Sequence, residues 1–243
     1  MVNIVAHRGF SGQYPENTLI AFMKAIELGV EIIEFDVHMT ADGQLVVIHD
    51  ETLDRTTNGT GRVSDLALAE IVTLNAGSWF SADFSEQRVP TLAETLNLIA
   101  GRTRLNIQLK CTEIDREPLA REVIRELTRH EALQYAYISS EQTTIEFALT
   151  LGTAVQTCNL SPYPTETYIS RSRALGCRIL QPRNQQVTEE FVKDAHLHRM
   201  EVNPFYANEA VEMRRLIACG VDGILTDYPN RLLCVRGTYP EDS

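Results

Sequence analysis

The sequence predicts a TIM-type (β/α)8 barrel with a β-hairpin at 32–49 and a short covering segment at 50–90. Short β-rich runs alternate with helix-like segments from end to end, which implies a parallel sheet with helical crossovers. About eight such units in 243 residues suit a barrel of roughly 250 residues. No GxGxxG follows the first strand, which argues against an open doubly wound sheet.

Nine runs read as strands: 2–7, 32–37, 45–49, 105–110, 136–140, 153–157, 178–181, 200–203 and 223–226. The ninth is explained by the join HMTADGQ between Val37 and Leu45. It is too short for a crossover helix and carries the turn pair Asp42-Gly43, so 32–49 reads as a hairpin inside the barrel. Helices are expected at 17–28, with Leu19, Phe22, Met23 and Ile26 as the apolar stripe and Gly29 as the stop. A second is expected at 91–100, where Thr91 and Glu94 form a capping box before Gly101. Asn208 is read as the cap of a helix running to Cys219, and Asp227 with Pro229 as the start of the last one. Residues 50–90 lack a regular pattern and follow a strand's carboxyl end, so they are expected to fold over the barrel mouth. No linker, repeat or low-complexity tract interrupts residues 1–243, which are expected to form a single domain.

The net charge of −11 argues against non-specific nucleic-acid binding and requires a locally positive pocket for any anionic ligand. No stretch approaches the roughly 20 apolar residues that cross a bilayer, so no stable membrane insertion is expected. The stretch MVNIVAHRG has no basic region followed by a long apolar run, so no secretory signal is read there and a cytoplasmic location is expected. Five scattered cysteines without a CxxC pair favour reduced thiols.

In such barrels reacting groups sit at the carboxyl ends of strands. Those ends read His7-Arg8-Gly9, Glu34 and Asp36, His49-Asp50, then Gln108 and Lys110. Glu34 and Asp36 share one face of a strand whose other face is apolar, and two adjacent carboxylates call for a cation between them. Oxygen donors select Mg²⁺ or Ca²⁺ over zinc. His7 and His49 end different strands and converge on the acidic pair, as general acid–base catalysis requires. Arg8 and Lys110 suit a phosphate. Gly9 either lets backbone approach a ligand or serves a turn. His38, at the hairpin turn, reads as a surface histidine.

The strings HRGFSGQYPENTLIAF, IEFDVHMTADGQLVVIHDETLDRTTNGTG, AGSWF, VPTLAETL, LNIQLK and GVDGILTDYPNRL cover nearly the whole chain in order. Together they resemble the glycerophosphodiester phosphodiesterase family. The resemblance implies a barrel hydrolase cleaving a small-molecule glycerophosphodiester to glycerol 3-phosphate and an alcohol. It implies His7 and His49 as the acid–base pair, Arg8 and Lys110 as phosphate ligands, and Glu34 and Asp36 as ligands of the metal. It also implies attack by the substrate's own glycerol hydroxyl, giving a cyclic phosphate that water opens; which histidine acts first stays open.

One position departs from the family pattern. Gln108 stands where the family carries a third, glutamate ligand. An amide oxygen still coordinates Mg²⁺ or Ca²⁺, but with one charge fewer, so weaker metal binding is expected. A non-catalytic phosphodiester-binding protein and a lysophospholipase-D-like or phosphoinositide-cleaving enzyme are the alternatives. Pro15-Glu16-Asn17-Thr18 is read as shaping the first loop, with Glu16 within reach of site residues. Trp79 reads as a packing residue, and Phe205 stands where the family carries Trp. Thr226-Asp227-Tyr228-Pro229 reads first as a helix cap and second as a site element.

Overall fold

A computed structural model describes residues 1–160 and 165–237. Its strands are β1 (Asn3–His7), β2 (Ile32–Met39), β3 (Leu45–Val47), β4 (Arg104–Leu109), β5 (Ala136–Ser140), β6 (Gln156–Asn159), β7 (Ile179–Leu180), β8 (Glu201–Val202) and β9 (Gly223–Thr226). Eight of them lie in the order β8-β7-β6-β5-β4-β2-β1-β9, all neighbours parallel. Backbone bonds from Asp222 N to the Val202 oxygen and from Leu225 N to the Pro204 oxygen bring β9 back to β8, so the barrel is nearly closed. β3 pairs antiparallel with β2, Val37 opposite Val47 and Met39 opposite Leu45, as the short turn at Asp42-Gly43 requires.

Helices fill the crossovers: α1 (Leu19–Glu27), α2 (Leu68–Ile71), α3 (Leu92–Ile99), α4 (Arg116–Arg129), α5 (Gln142–Thr150), α6 (Thr165–Ala174), α7 (Glu189–Leu197), α8 (Ala210–Cys219) and α9 (Pro229–Val235). The Thr18 hydroxyl accepts from Ala21 N at the start of α1, and the Thr91/Glu94 capping box opens α3. Among the described residues no helix is long and apolar enough to cross a membrane.

Side-chain parity sorts the strands into two packed layers. Ile4, Ala6, Ile33, Phe35, Val37, Leu105, Ile107 and Leu109 face the helices in the main core. Val5, Ile32, Tyr137, Cys158, Ile179 and Leu225 form a second, smaller cluster. Each fully buried Phe or Leu contributes about 1.5–3 kcal/mol, so the outward layer pins the register. That register in turn forces His7, Glu34, Asp36, Asn106 and Gln108 onto the opposite parity. Residues 50–90 build their own satellite core, in which Leu53, Val63, Ile71, Ala76 and Val89 pack on Val46 and Ile48 next to the hairpin.

Two expected elements are displaced. The strand expected at 153–157 forms at Gln156–Asn159. Val155 is buried, but in the helix-facing core before the strand begins, so the apolar pair Ala154-Val155 marks the approach to the strand. Helix α8 is capped at Glu209 and ends at Gly220, whose φ of 85° suits glycine. Asn208 does not cap it; its side chain turns instead to Asp227.

Gly9 resolves in favour of the turn. Its φ is 81°, and an added Cβ would lie 2.8 Å from the carbonyl carbon of Ala21 in α1. Gly9→Ala is expected to destabilise the protein by about 2–4 kcal/mol, from left-handed backbone strain plus overpacking. Chemical denaturation measures this, and a loss under about 1 kcal/mol would contradict the tight turn.

Candidate active site

β1 delivers His7 and Arg8. The His7 Nδ1 lies 2.6 Å from Asp227 Oδ1, just after β9. A carboxylate only accepts, so Nδ1 carries the proton and Nε2 is left for the site, 4.0 Å from Glu34 Oε2. Ser11 Oγ donates to the same Asp227 oxygen at 3.0 Å, and Asn208 Nδ2 donates to Asp227 Oδ2 at 2.6 Å. The ring of Tyr206 stacks on His7 with centroids 5.5 Å apart. Burial alone would lower the His7 pKa, but the Asp227 hydrogen bond and the Glu34 charge outweigh it and hold the pKa above the ordinary value.

Arg8 sits at φ 55°, an uncommon conformation for a side-chain-bearing residue. Its N–H donates to Glu34 Oε2 at 3.0 Å and its carbonyl accepts from Asn17 N at 3.1 Å, so the backbone is fixed from both sides. The guanidinium reaches Glu16 at 2.8 Å and lies 3.5 Å from Asp36.

On β2, Glu34 and Asp36 are both buried. Burial first, and the Asp36 charge second, push Glu34 up to about 7. Asp36 goes the other way. Burial would raise it, but Lys110 at 3.2 Å, Arg8 and His49 together hold its carboxyl below the usual range. Asn17 Nδ2 donates to Asp36 Oδ2 at 2.8 Å. The two acids therefore differ: nearby cations outweigh burial at Asp36, whereas burial and the Asp36 charge outweigh His7 and Arg8 at Glu34.

His49 follows the hairpin. Its Nδ1 lies 2.6 Å from Asp50 Oδ1, repeating the pairing seen at His7. Its pKa is lowered, by burial first, with Lys110 and Arg8 also opposing the proton. His38 is not a surface residue: it is buried and its Nε2 lies 3.1 Å from the His49 carbonyl, which fixes the hairpin under the site. The inward parity of β2 reaches one residue further than the turn signal implied.

β4 supplies the remaining polar face. Register places Gln108 opposite Asp36 and Asn106 opposite Glu34. Its neighbours assign the Gln108 amide, with the nitrogen on the side of Asp36 Oδ1 at 3.2 Å and the oxygen on the side of Lys110 Nζ at 3.3 Å. Asn106 donates to Gln181 at 3.0 Å and accepts from Ser139 at 2.8 Å, deeper in the barrel. All seven residues singled out from the sequence thus lie in one network. Among the described residues, no group of three His, Cys, Asp or Glu side chains is placed to hold a metal ion.

Two contributors, Arg55 and Tyr206, escaped the sequence reading, and two others, Asp227 and Asp50, were given no specific role in it. Asp227, read first as a helix cap and second as a site element, is a partner of His7; the last helix is capped at Tyr228. Asp50 was visible only as the neighbour of His49 in the pair His-Asp. Arg55, in the covering segment, carries no motif of its own. Tyr206 was overshadowed by Phe205, which packs instead against the small inner cluster. A cavity of about 270 Å³ opens beside His7 and Arg8, walled by Phe80, Tyr206 and Tyr228. Trp79 stays outside it, 40% exposed, with Nε1 bonded to the Ala76 carbonyl.

Two imidazoles held by carboxylates beside clustered cations at a barrel mouth suit acid–base work on an anionic ester, and they place the chain among the barrel phosphodiester hydrolases. Family comparison narrows the class: the model of the glycerophosphoryl diester phosphodiesterase family matches residues 7–231, and the chain belongs to that family. A glycerophosphodiester phosphodiesterase of Caldanaerobacter subterraneus subsp. tengcongensis is 35% identical over 238 residues, covering 95% of this chain and 96% of its own. One of Bacillus altitudinis is 35% identical over 244 residues, covering 97% and 98%. A solved phosphodiesterase of Oleispira antarctica, in complex with the product sn-glycerol-3-phosphate, superposes with a TM-score of 0.91 at 29% identity, covering 97% of this chain and 96% of that one.

Proposed function

We infer that the protein hydrolyses glycerophosphodiesters to glycerol 3-phosphate and an alcohol, with His49 as base and His7 as acid in the first step. The observation that carries this is the opposite electrostatic setting of two similarly tethered imidazoles. His49, its proton held on Nδ1 by Asp50 and its pKa lowered, presents a neutral Nε2. His7, between Asp227 and Glu34, keeps its second proton to a higher pH. Arg8 and Lys110 bind the phosphate oxygens. His49 Nε2 takes the proton of the substrate's glycerol hydroxyl as that oxygen bonds to phosphorus. His7 Nε2 gives its proton to the departing alkoxide, and a cyclic phosphate results. Water then opens the ring with the two roles exchanged. The relatives' names and the product in the Oleispira neighbour support this substrate class.

The residues present fit a divalent cation in the oxygen-only set of Glu34, Asp36 and the Gln108 amide oxygen. Support comes from the donor set itself, two buried carboxylates side by side on β2, with burial and the neighbouring Asp36 charge pushing Glu34 up to about 7. Mg²⁺ or Ca²⁺ bound there would neutralise charge on the phosphate. The single continuous sheet and five free cysteines support one barrel domain over residues 1–243 acting on a small molecule in the cytoplasm.

The test is turnover of glycerophosphocholine and glycerophosphoethanolamine by the purified protein, read by coupled detection of glycerol 3-phosphate with and without EDTA. Product formation is expected. Binding of the diester without turnover under any divalent metal would instead make the chain a binding protein. Release of a lysophosphatidic acid from a lysophospholipid, with no turnover of the water-soluble diesters, would favour the lysophospholipase-D-like reading.

The pH dependence follows from the two shifts. Activity requires neutral His49 and protonated His7. It should rise as pH climbs through the lowered His49 pKa, below 6.5, and fall as pH climbs through the raised His7 pKa, above 6.5. The profile of kcat/KM should be a bell with its plateau around neutrality. A profile still rising beyond pH of about 9 would remove His7 from the role of acid.

A further inference from the structure

Arg55 lies in the covering segment, outside the barrel strands, yet its guanidinium grips two carboxylates at once. Nε and Nη2 donate to the two oxygens of Asp50, at 2.6 and 3.1 Å. Nη1 and Nη2 donate to the two oxygens of Glu16, at 2.9 and 2.8 Å. Each carboxylate then holds one residue of the site: Asp50 Oδ1 meets His49 Nδ1 at 2.6 Å, and Glu16 Oε1 accepts from Arg8 Nη1 at 2.8 Å. The result is one unbroken chain, His49–Asp50–Arg55–Glu16–Arg8.

We propose that Arg55 is a positioning residue that sets the imidazole of His49 and the guanidinium of Arg8 relative to each other, so that base and phosphate stay in register. Three features favour this over a simple tie between the covering segment and the barrel. Both grips are bidentate, which fixes the planes of Asp50 and Glu16 as well as their distance. Only a guanidinium reaches two carboxylates in this way; an ammonium on the same stem retains the charge and loses the fork. The segment has its own attachments to the hairpin, including the satellite core on Val46 and Ile48 and the bond that Leu68 N donates to Asp42 Oδ1 at 3.0 Å, neither of which touches the site. Asp50 sits on a loop after the hairpin, 29% exposed, so Arg55 is what keeps it facing His49.

This inference rests on the roles read for His49 and Arg8, so its test includes measurements that do not need turnover. In ¹⁵N-resolved NMR of the whole chain, neutral His49 should carry its proton on Nδ1. Arg55→Ala should convert it to a tautomer mixture, while Arg62→Ala leaves it unchanged. Binding of glycerol 3-phosphate by calorimetry should weaken about 10-fold in Arg55→Ala. In turnover, Arg55→Ala should lose about 10- to 100-fold in kcat, Arg55→Lys should fall between it and the parent, and added guanidinium ion should restore part of the activity of Arg55→Ala alone. Unchanged tautomer and unchanged product affinity in a folded Arg55→Ala would overturn the proposal. So would an Arg55→Lys variant indistinguishable from the parent in both. Absence of turnover in the unsubstituted protein would count against the proposed function, leaving the tautomer and binding results to decide on Arg55.

Discussion

Asp227→Asn should cut kcat for glycerophosphodiester hydrolysis by about 10²–10⁴-fold while the barrel stays folded. The size of the effect comes from hydrogen-bond direction. Asp227 receives three side-chain donors: His7 Nδ1 and Ser11 Oγ on Oδ1, and Asn208 Nδ2 on Oδ2. An amide in its place has one acceptor and one donor end, so one of these contacts must reverse. Asn208 is not free to reverse, because its own Oδ1 accepts from Asp227 N at 2.9 Å and from Thr226 Oγ1 at 3.2 Å. The mismatch therefore falls on His7, which answers an NH₂ group by moving its proton from Nδ1 to Nε2. A ring turned that way keeps neither the orientation nor the stabilised positive charge that the proposed role of acid requires.

The pH profile carries a second signature. The Asp227 hydrogen bond is the largest influence holding the His7 pKa up against burial. Its removal lowers that pKa, so the basic limb of the profile should move to lower pH while the acidic limb, set by His49, stays in place. Ser11→Ala, which removes only one donor to the same oxygen, serves as the control and should cost less than about 10-fold. A kcat for Asp227→Asn within about threefold of the parent, with an unmoved basic limb, would mean that His7 needs no carboxylate partner.

What could be read from the sequence follows from the range over which each signal acts. That Gln108 and Lys110 lie together at a strand's carboxyl end was legible because strand parity is a two-residue rule, and the apolar alternates Leu105, Ile107 and Leu109 bury as that rule requires. The hairpin at 32–49 was legible from a turn too short for a helix. Asn208 and His38 were misread, and Asp227 was read as a site element only in second place, for the opposite reason. Each carries a strong local signal (a helix cap, a Pro-proximal cap, a turn neighbour), and each is claimed instead by a partner elsewhere in the chain: Asn208 bonds Asp227, 19 positions on, and Asp227 bonds His7, 220 positions away. Arg55 is harder still. Its meaning lies in two carboxylates, one 39 positions distant, that come together only once the covering segment has folded over the barrel mouth. The site is therefore half local and half topological. The strand-borne groups announce themselves, and the groups that orient them do not.

Gln108→Glu should bind Mg²⁺ and Ca²⁺ about 10²-fold more tightly than the parent. In the parent, Gln108 is already engaged, its nitrogen at Asp36 Oδ1 and its oxygen at Lys110 Nζ, with Lys110 itself 3.2 Å from Asp36. A cation held by the proposed set would require the amide to turn over and would compete with the ammonium at Asp36, for the gain of a neutral oxygen. A carboxylate at 108 needs no reorientation and adds a full negative charge, worth about 2–3 kcal/mol at short range after desolvation and competition from Lys110 are subtracted. The same charge acts in reverse when no metal is present. It joins two buried acids, one of which, Glu34, is already raised to about 7 by burial and by Asp36. Metal-free Gln108→Glu should therefore be less stable than the parent by about 1–2 kcal/mol, softened by a new contact with Lys110. Saturating Mg²⁺ or Ca²⁺ should raise its Tm by more than it raises that of the parent. Titration calorimetry and thermal denaturation of both proteins, in EDTA and in each metal, read the two signs independently of turnover. Equal affinities would sink the idea, because they would mean that Gln108 lies outside the coordination sphere and that Glu34 and Asp36 hold the cation without help from β4.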